Sequence, residues 1–249
     1  MGRMVTEGEA AVKLLAVETA TRRQSVAILD GTTVLCQSNE ETGLSHAKWL
    51  VPTIDRLLQS SSLTLSALDG FAVSIGPGSF TGLRVGLATV MGFRMVTGLP
   101  LVTVPTLEAM AWNLRAEDRP LCPVLKARAG EVYWAFYRWK HAAGPTRLTE
   151  ERVGSLESLA RSIQGPTVML GEGWVIYQDE LRRLMGTRSF EVSEAPPDAL
   201  AASAVSVGLA GLERLARGEI AGRGIAPLYV QRVEAEVKVG LGLKEARMS

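Results

Sequence analysis

This chain of 249 residues has few histidines and cysteines and a net charge near zero. It has two histidines, two cysteines and a formal charge of +1. His46 and His141 stand apart and do not form the HExxH motif of a metallopeptidase. Cys36 and Cys122 lack the paired spacing of a zinc site and are typical of buried thiols in a reducing compartment. A charge near zero gives no general attraction for nucleic acid, so we expect any role with RNA to depend on partners.

Long apolar runs are missing as well. No stretch reaches the ~18 uninterrupted apolar residues of a membrane span, and residues 1–13 carry four charges instead of the apolar core of a signal peptide. We therefore expect a cytoplasmic protein without a membrane association. Hydrophobic residues make up 47% of the chain, which is enough for one large domain or two of ordinary size.

A glycine turn, Gly76–Gly78, joins a buried strand of sequence FAVSI to a helix that Ser79 or Thr81 is placed to cap. Such a turn can bind phosphate at the helix N-terminus. However, Leu83 stands where a Walker A loop has lysine, and Thr81 stands where a dinucleotide fingerprint has its third glycine. The pattern favours a structural turn that leads into a packing helix.

The helix after this turn has almost no polar face, since its only charges are Arg84 and Arg94. One side can lie on the protein's own sheet, and the other side is expected to need a second lobe or a partner. Interior glycines weaken a helix and are tolerated mainly where another backbone approaches closely. We expect Gly86 and Gly92 to permit such approaches.

The rest of the chain predicts strands and helices in the order βββαβαβα, twice. The first unit spans residues 14–118 and the second spans 119–225, between a flexible tail at 1–13 and an extension at 226–249 that returns to the first lobe. Notable predicted elements are a hairpin at Asp30–Gly31, a strand EVYWAFYRW and a helix over 198–217. The predicted fold class is α/β, with two ribonuclease H-like units in a two-lobed architecture.

This order is the plan of the actin, sugar kinase and Hsp70 superfamily. Five segments carry a closer resemblance, to the bacterial TsaB (YeaZ) family: LLAVETATRRQSVAIL, SHAKWLVPTIDRLL, LDGFAVSIGPGSFTGLRVGLATVMGF, PLVTVPTLEAMA and ARAGEVYWAFY. The GPGSFTGLR run is the most specific of them. The resemblance is strong from Leu14 to Tyr137 and weaker beyond.

The resemblance implies a non-catalytic scaffold and activator in the machinery that forms threonylcarbamoyladenosine at position 37 of tRNAs reading codons that begin with A. It implies binding to a TsaD-like catalytic subunit, a TsaE-like ATPase as third partner, tRNA contact only through the complex, and a homodimer without the partner. The implied partner interface comprises His46, Trp49, Leu50, Gly82, Leu83, Val85, Gly86, Thr89, Gly92 and Phe93.

TsaD-like proteins hold a metal with two histidines four residues apart on a helix. Here Leu50 stands four residues after His46, so we expect no metal site and no catalytic residue. The superfamily's aspartate at the end of the first strand is replaced by Glu18, which leaves Glu18, Thr19 and Thr21 as a vestigial nucleotide-binding group. ATP or ADP is expected, if anywhere, at the interface with partners.

Lys126 and Gln231 are further departures from the family pattern. Three functions remain open on the sequence alone: the scaffold subunit, an ATP-dependent sugar-kinase-like phosphotransferase, and a peptidase. The phosphotransferase needs a second phosphate loop of the DxGG type, which the chain lacks. A metallopeptidase needs a cluster of metal ligands and a serine peptidase needs a positioned histidine, and the sequence indicates neither.

Overall fold

The computed structural model describes residues 11–42, 45–115, 117–140, 144–186, 190–222, 224–228 and 230. His141 and Gln231 lie outside these ranges. The strands are β1 (Lys13–Glu18), β2 (Arg23–Asp30), β3 (Thr33–Glu41), β4 (Gly70–Ser74), β5 (Leu101–Val104), β6 (Leu121–Lys126), β7 (Glu131–Trp134), β8 (Tyr137–Trp139), β9 (Pro145–Arg147), β10 (Arg152–Ser155), β11 (Thr167–Leu170) and β12 (Val192–Glu194). The α-helices are α1 (His46–Ser60), α2 (Phe80–Thr97), α3 (Thr106–Ala111), α4 (Leu156–Ser162), α5 (Glu172–Met185) and α6 (Ala204–Ala216).

The first sheet has the strand order β3-β2-β1-β4-β5. Its first three strands form an antiparallel meander, while β4 and β5 run parallel to β1. The expected hairpin is present, because β2 ends at Asp30 and Gly31 takes a φ of +55° that glycine adopts readily.

The second sheet repeats this plan with the order β10-β7-β6-β11-β12. Again an antiparallel meander is followed by two strands parallel to its first strand. Strand β8 pairs with β6 and β9 beside this path. The duplicated α/β architecture predicted from the sequence is therefore confirmed, since both sheets share one order and one set of directions.

The helices divide the molecule into layers. Helices α1 and α2 cover one face of the first sheet, and α4 and α5 cover the outer face of the second sheet. Between the sheets, α6 packs on the first sheet and α3 packs on the second, and these two helices also contact each other. Each lobe thus contributes a helix to the core of the other, which ties the two lobes together.

The structure differs from the sequence prediction in three elements. The helix expected over 198–217 is split into a short 3₁₀ turn at Pro197–Ala199 and α6, whose start is capped by the Ser203 hydroxyl. Helix α6 also belongs to the first sheet's core, although the sequence placed it in the second lobe. The strand expected from EVYWAFYRW is divided at residues 135–136 into β7 and β8, which both pair with β6 but have different second neighbours, β10 and β9.

The chain after α6 returns to the first lobe in its described part. The Ala221 N–H donates to the Leu101 carbonyl, and the Leu228 N–H donates to the Ile75 carbonyl at the carboxyl end of β4. Ile225 packs against the core beneath α2. This segment therefore lies along the first lobe; residues 231–249 lie outside the described ranges.

Glycines in α2 have two different roles. Gly86 faces inward, where a Cβ atom would collide with the Thr19 hydroxyl, whereas a Cβ atom at Gly92 would meet nothing within 4 Å. The sequence interpretation treated both positions as sites of close approach. Within the chain only Gly86 has that role, while the space beside Gly92 is open.

We predict opposite stability effects from the same substitution at these two sites. Gly86→Ala should lower the free energy of unfolding by about 1–3 kcal/mol, because the new methyl displaces the Thr19 hydroxyl. Gly92→Ala should raise it by up to about 1 kcal/mol, because alanine favours an exposed helix. Urea denaturation of both variants checks this. Equal effects of the two substitutions would show that the close approach at Gly86 does not exist.

Candidate functional site

The turn between β1 and β2 lies directly against the start of α2. The Thr19 hydroxyl donates to the Gly82 carbonyl, 2.9 Å away, and the Ser79 N–H donates to the Ala20 carbonyl at 2.6 Å. At Gly78, where φ is +154°, a side chain would collide with Ala20. The glycine turn noted in the sequence thus serves to bring two backbone segments together.

Glu18 ends β1 and is completely buried. One carboxyl oxygen accepts the Ala20 N–H, while Oε2 has no hydrogen-bond partner among the described residues. Burial raises the pKa of Glu18 to about 7, opposed by the Ser74 hydroxyl beside it and by the Ala20 N–H. The Thr106 hydroxyl is likewise buried without a partner in the described part of the chain. With a pKa of about 7, Glu18 keeps its proton through the mildly acidic range and is about half ionised at neutral pH.

His46 connects α1 to the same turn. Its Nε2 lies 2.9 Å from the Thr21 carbonyl, which can only accept, so Nε2 carries the proton and Nδ1 accepts from the Thr42 hydroxyl at 3.0 Å. Burial lowers the pKa of His46, while the bond to Thr21 raises it. Both ring nitrogens of this neutral histidine are engaged, and Leu50 is fully buried in the core. The pair thus has a packing and positioning role.

These contacts bear on whether the turn fits a nucleotide phosphate. The Ala20 N–H is satisfied by Glu18, the Ser79 N–H by Ala20, and the Gly82 N–H by the Ser79 hydroxyl. Phosphate binding at a helix N-terminus requires such N–H groups to be free. Glu18 and Thr19 have no exposed surface. The buried Glu18 and these three engaged N–H groups therefore weigh against the metal–phosphate role of the superfamily, and only Thr21 of the vestigial group borders a cavity.

The outer face of α1 and α2, which we call the α1–α2 face, carries exposed apolar side chains. Helix α2 buries Gly82, Leu83, Gly86, Leu87 and Val90 against its own sheet. It exposes Thr81, Arg84, Ala88, Gly92, Met95 and Val96 in a continuous stripe. Met95 is 84% exposed and Val96 is 86% exposed, while Arg84 lies 3.9 Å from the centre of the Phe80 ring. On α1, Trp49 and Val51 are also exposed.

The structure divides the residues assigned to a partner interface by sequence. Five are buried within the chain and cannot present a surface: His46, Leu50, Gly82, Leu83 and Gly86. The others are exposed or half-buried on α1 and α2: Trp49, Val85, Thr89, Gly92 and Phe93. The first group is corrected to an intramolecular role, because the inner side of each helix faces the sheet.

Sequence reasoning missed the strongest apolar members of this face. Phe80, Met95 and Val96 are large apolar residues that α2 leaves exposed. Helical spacing could have found them, because Ala88, Gly92 and Met95 follow one another at intervals of four and three residues along one side.

None of the described helices is both long and apolar enough to cross a membrane. The described residues also contain no group of three or more His, Cys, Asp or Glu arranged to hold a metal ion.

Comparisons with known proteins agree with these features. A family model described as TsaD, tRNA N6-adenosine threonylcarbamoyltransferase, matches residues 39–165. The tRNA threonylcarbamoyladenosine biosynthesis protein TsaB of Escherichia coli K12 is 32% identical over 177 residues, which cover 68% of this chain and 74% of that protein. Its namesake in Haemophilus influenzae is 30% identical over 239 residues, covering 88% and 93%. This chain belongs to the TsaB (YeaZ) family.

A solved structure supports the same family. The structure titled YeaZ from Pseudomonas aeruginosa superimposes with a TM-score of 0.75 and 28% sequence identity. The match covers 88% of this chain and 100% of that chain. The resemblance derived from the sequence motifs is confirmed.

We predict that Glu18 makes stability fall as the pH rises. In the unfolded chain Glu18 ionises near pH 4.5, but in the folded protein it keeps its proton until about pH 7. Its favourable contribution is fully present below pH 4.5 and is lost between these two values. Glu18→Gln, which cannot ionise, should therefore gain stability relative to the native protein by roughly 3 kcal/mol between pH 4.5 and 7.5.

Urea denaturation of both proteins at each pH measures this difference, and taking the difference cancels other titrating groups such as Glu151. A difference that stays constant with pH, or that shrinks as the pH rises, would contradict the prediction.

Proposed function

We propose that this protein is a cytoplasmic, non-catalytic subunit in the formation of N6-threonylcarbamoyladenosine at position 37 of tRNA, and that it binds a TsaD-type transferase through the α1–α2 face. The exposed apolar stripe of this face is the observation that carries the proposal. Contiguous apolar surface with nearly full exposure of Met95 and Val96 is typical of an association surface. The names of the Escherichia coli and Haemophilus influenzae relatives supply the reaction.

The shape of the α1–α2 face suits helix-to-helix packing. Gly92 and Ala88 lie in the middle of the exposed stripe, where small side chains allow another helix to approach closely. Two cations, Lys48 and Arg84, lie over the exposed rings of Trp49 and Phe80. In the absence of the partner, two copies of this protein bind each other through the same face and form a homodimer. Because one face serves both contacts, the homodimer and the complex with the TsaD-type protein exclude each other.

The remaining roles in the assembly fall to other proteins. A TsaE-like ATPase is the third partner, and tRNA is held through the complex, since this chain has a formal charge of only +1. We place any ATP or ADP of the assembly at the junction with these partners. The buried Glu18 and the engaged N–H groups of Ala20 and Ser79 argue against a nucleotide site of the superfamily type within this chain.

The match to the TsaD model raises one competing function, in which this chain is itself the transferase. His46 and Leu50 weigh against it, because the histidine has both nitrogens engaged and the leucine is buried. The sugar-kinase-like alternative is weakened by Glu18, whose carboxyl faces the protein interior.

Gly92→Leu tests the proposed interface. The substitution should weaken binding to the TsaD-type protein at least about tenfold, because a large side chain in the middle of the stripe keeps the two helices apart. The isolated chain should stay folded, since the space beyond Gly92 is open. Copurification and size-exclusion chromatography with light scattering measure the complex, and circular dichroism measures folding.

Gly165→Leu is the matched control, because Gly165 also has open space but lies in the second lobe. It should leave both the complex and the homodimer intact. If Gly92→Leu binds its partner with unchanged affinity, the interface lies elsewhere.

Glu18→Gln tests whether the chain contributes catalysis. In the complete modification system, the variant should form threonylcarbamoyladenosine within about twofold of the native rate, because glutamine keeps the bond to Ala20 and no reacting group can reach position 18. Modified tRNA is quantified by nucleoside mass spectrometry. A folded variant whose rate falls about 100-fold or more would instead place Glu18 in an active site.

A further inference from the structure

Two adjoining cavities lie in the cleft between the lobes, beside the β1–β2 turn. Their volumes are about 290 and 280 Å³. They share Thr21 and Arg22 of the first lobe and Leu125, Glu172 and Ile176 of the second. The linker at residues 200–202 closes the first cavity at the back. The cleft is therefore built by both lobes and by the segment that connects them.

One half of the cleft is apolar. Val175 and Ile176 lie on the first turns of α5 and are 46% and 52% exposed. They face Leu125 and the linker across the first cavity. A concave, mostly apolar wall with few polar groups is typical of a site for a small molecule. Because each lobe supplies part of the wall, a bound molecule would be enclosed from two sides.

The other half carries charge. Three cations, Arg22, Arg23 and Lys126, line the cleft, compared with two carboxyls, Glu41 and Glu172. None of the three cations forms an ion pair with another residue in the described part of the chain. Burial raises the pKa of Glu172, and the charges of Lys126 and Arg22 oppose that rise. The balance of charge in the cleft favours an anionic group.

Where the turn borders the cleft, the Ala20 and Ser79 N–H groups already have partners within the chain. The groups that remain for recognition are the guanidinium of Arg22, the ammonium of Lys126 and the apolar wall. Guanidinium pairs well with a planar carboxylate or a sulfonate. An apolar body would contact Ile176 and Leu125.

We propose that this interlobe cleft binds an amphipathic organic anion, with an apolar body of one or two rings and a single carboxylate or sulfonate group near Arg22. The site is separate from the α1–α2 face and does not depend on the function proposed for that face.

Two fluorescent probes with the same apolar body test this site in the full chain. 8-Anilinonaphthalene-1-sulfonate carries one sulfonate, and N-phenyl-1-naphthylamine is neutral. The sulfonate probe should bind more tightly. Arg22→Gln should weaken the sulfonate probe about fivefold to tenfold and change the neutral probe little, because only the charged contact is lost. Ile176→Asp, at an exposed position that tolerates a polar side chain, should weaken both probes.

Arg84→Gln is the matched control, since it removes an exposed arginine from the α1–α2 face, where the probes can also bind. It should leave binding to the cleft unchanged. The proposal is overturned if Ile176→Asp alters neither probe, if Arg22→Gln weakens both probes equally, or if micromolar ATP displaces the sulfonate probe in competition. Circular dichroism of each variant confirms that a lost signal reflects lost binding.

Discussion

The backbone of the β1–β2 turn lies against the first turn of α2 with no room for a side chain between them. Gly78, Gly82 and Gly86 all face Thr19 or Ala20, and a Cβ atom at any of them would collide with that turn. The hydroxyl of Thr19 and the carbonyl of Ala20 use this closeness to form hydrogen bonds to α2. Leaving a buried polar group unsatisfied costs about 1–3 kcal/mol. The hydrogen bonds therefore stabilise the close approach, and the close approach in turn allows the hydrogen bonds to form.

This contact affects two surfaces of the first lobe, the one that borders the cleft and the α1–α2 face. It engages the N–H groups of Ala20, Ser79 and Gly82, which are therefore not available to a phosphate. It also fixes α2 on the sheet by its glycine-rich inner side, which leaves the opposite stripe, including Gly92 and Met95, facing outward. His46 secures α1 to the same turn through Thr21. The two helices of the α1–α2 face are therefore held in fixed positions by one short segment.

Much of the fold could be predicted from the sequence because its signals are local. The hairpin at Asp30–Gly31 and the cap at Ser79 each depend on neighbouring residues, and both are present. The division of EVYWAFYRW and the position of α6 could not be predicted, because they depend on which sheet each segment meets. In the site, the sequence identified α2 correctly as a packing element. It could not show that Gly86 meets Thr19, since those residues are 67 positions apart in the chain.

Leu50 and Glu18 explain how the chain can match a transferase model and still be a poor candidate for that chemistry. In the metal-binding pattern of TsaD-like proteins, a second histidine would stand at position 50. Here the leucine is fully buried in the core beneath α1. Without a second histidine to complete a metal site, His46 instead forms a hydrogen bond to the Thr21 carbonyl of the turn. Glu18 likewise satisfies the Ala20 N–H, in a position where burial raises its pKa to about 7. Both side chains therefore form hydrogen bonds to the turn. Restoring the family residue at only one of these two positions would leave the other contacts of the turn in place.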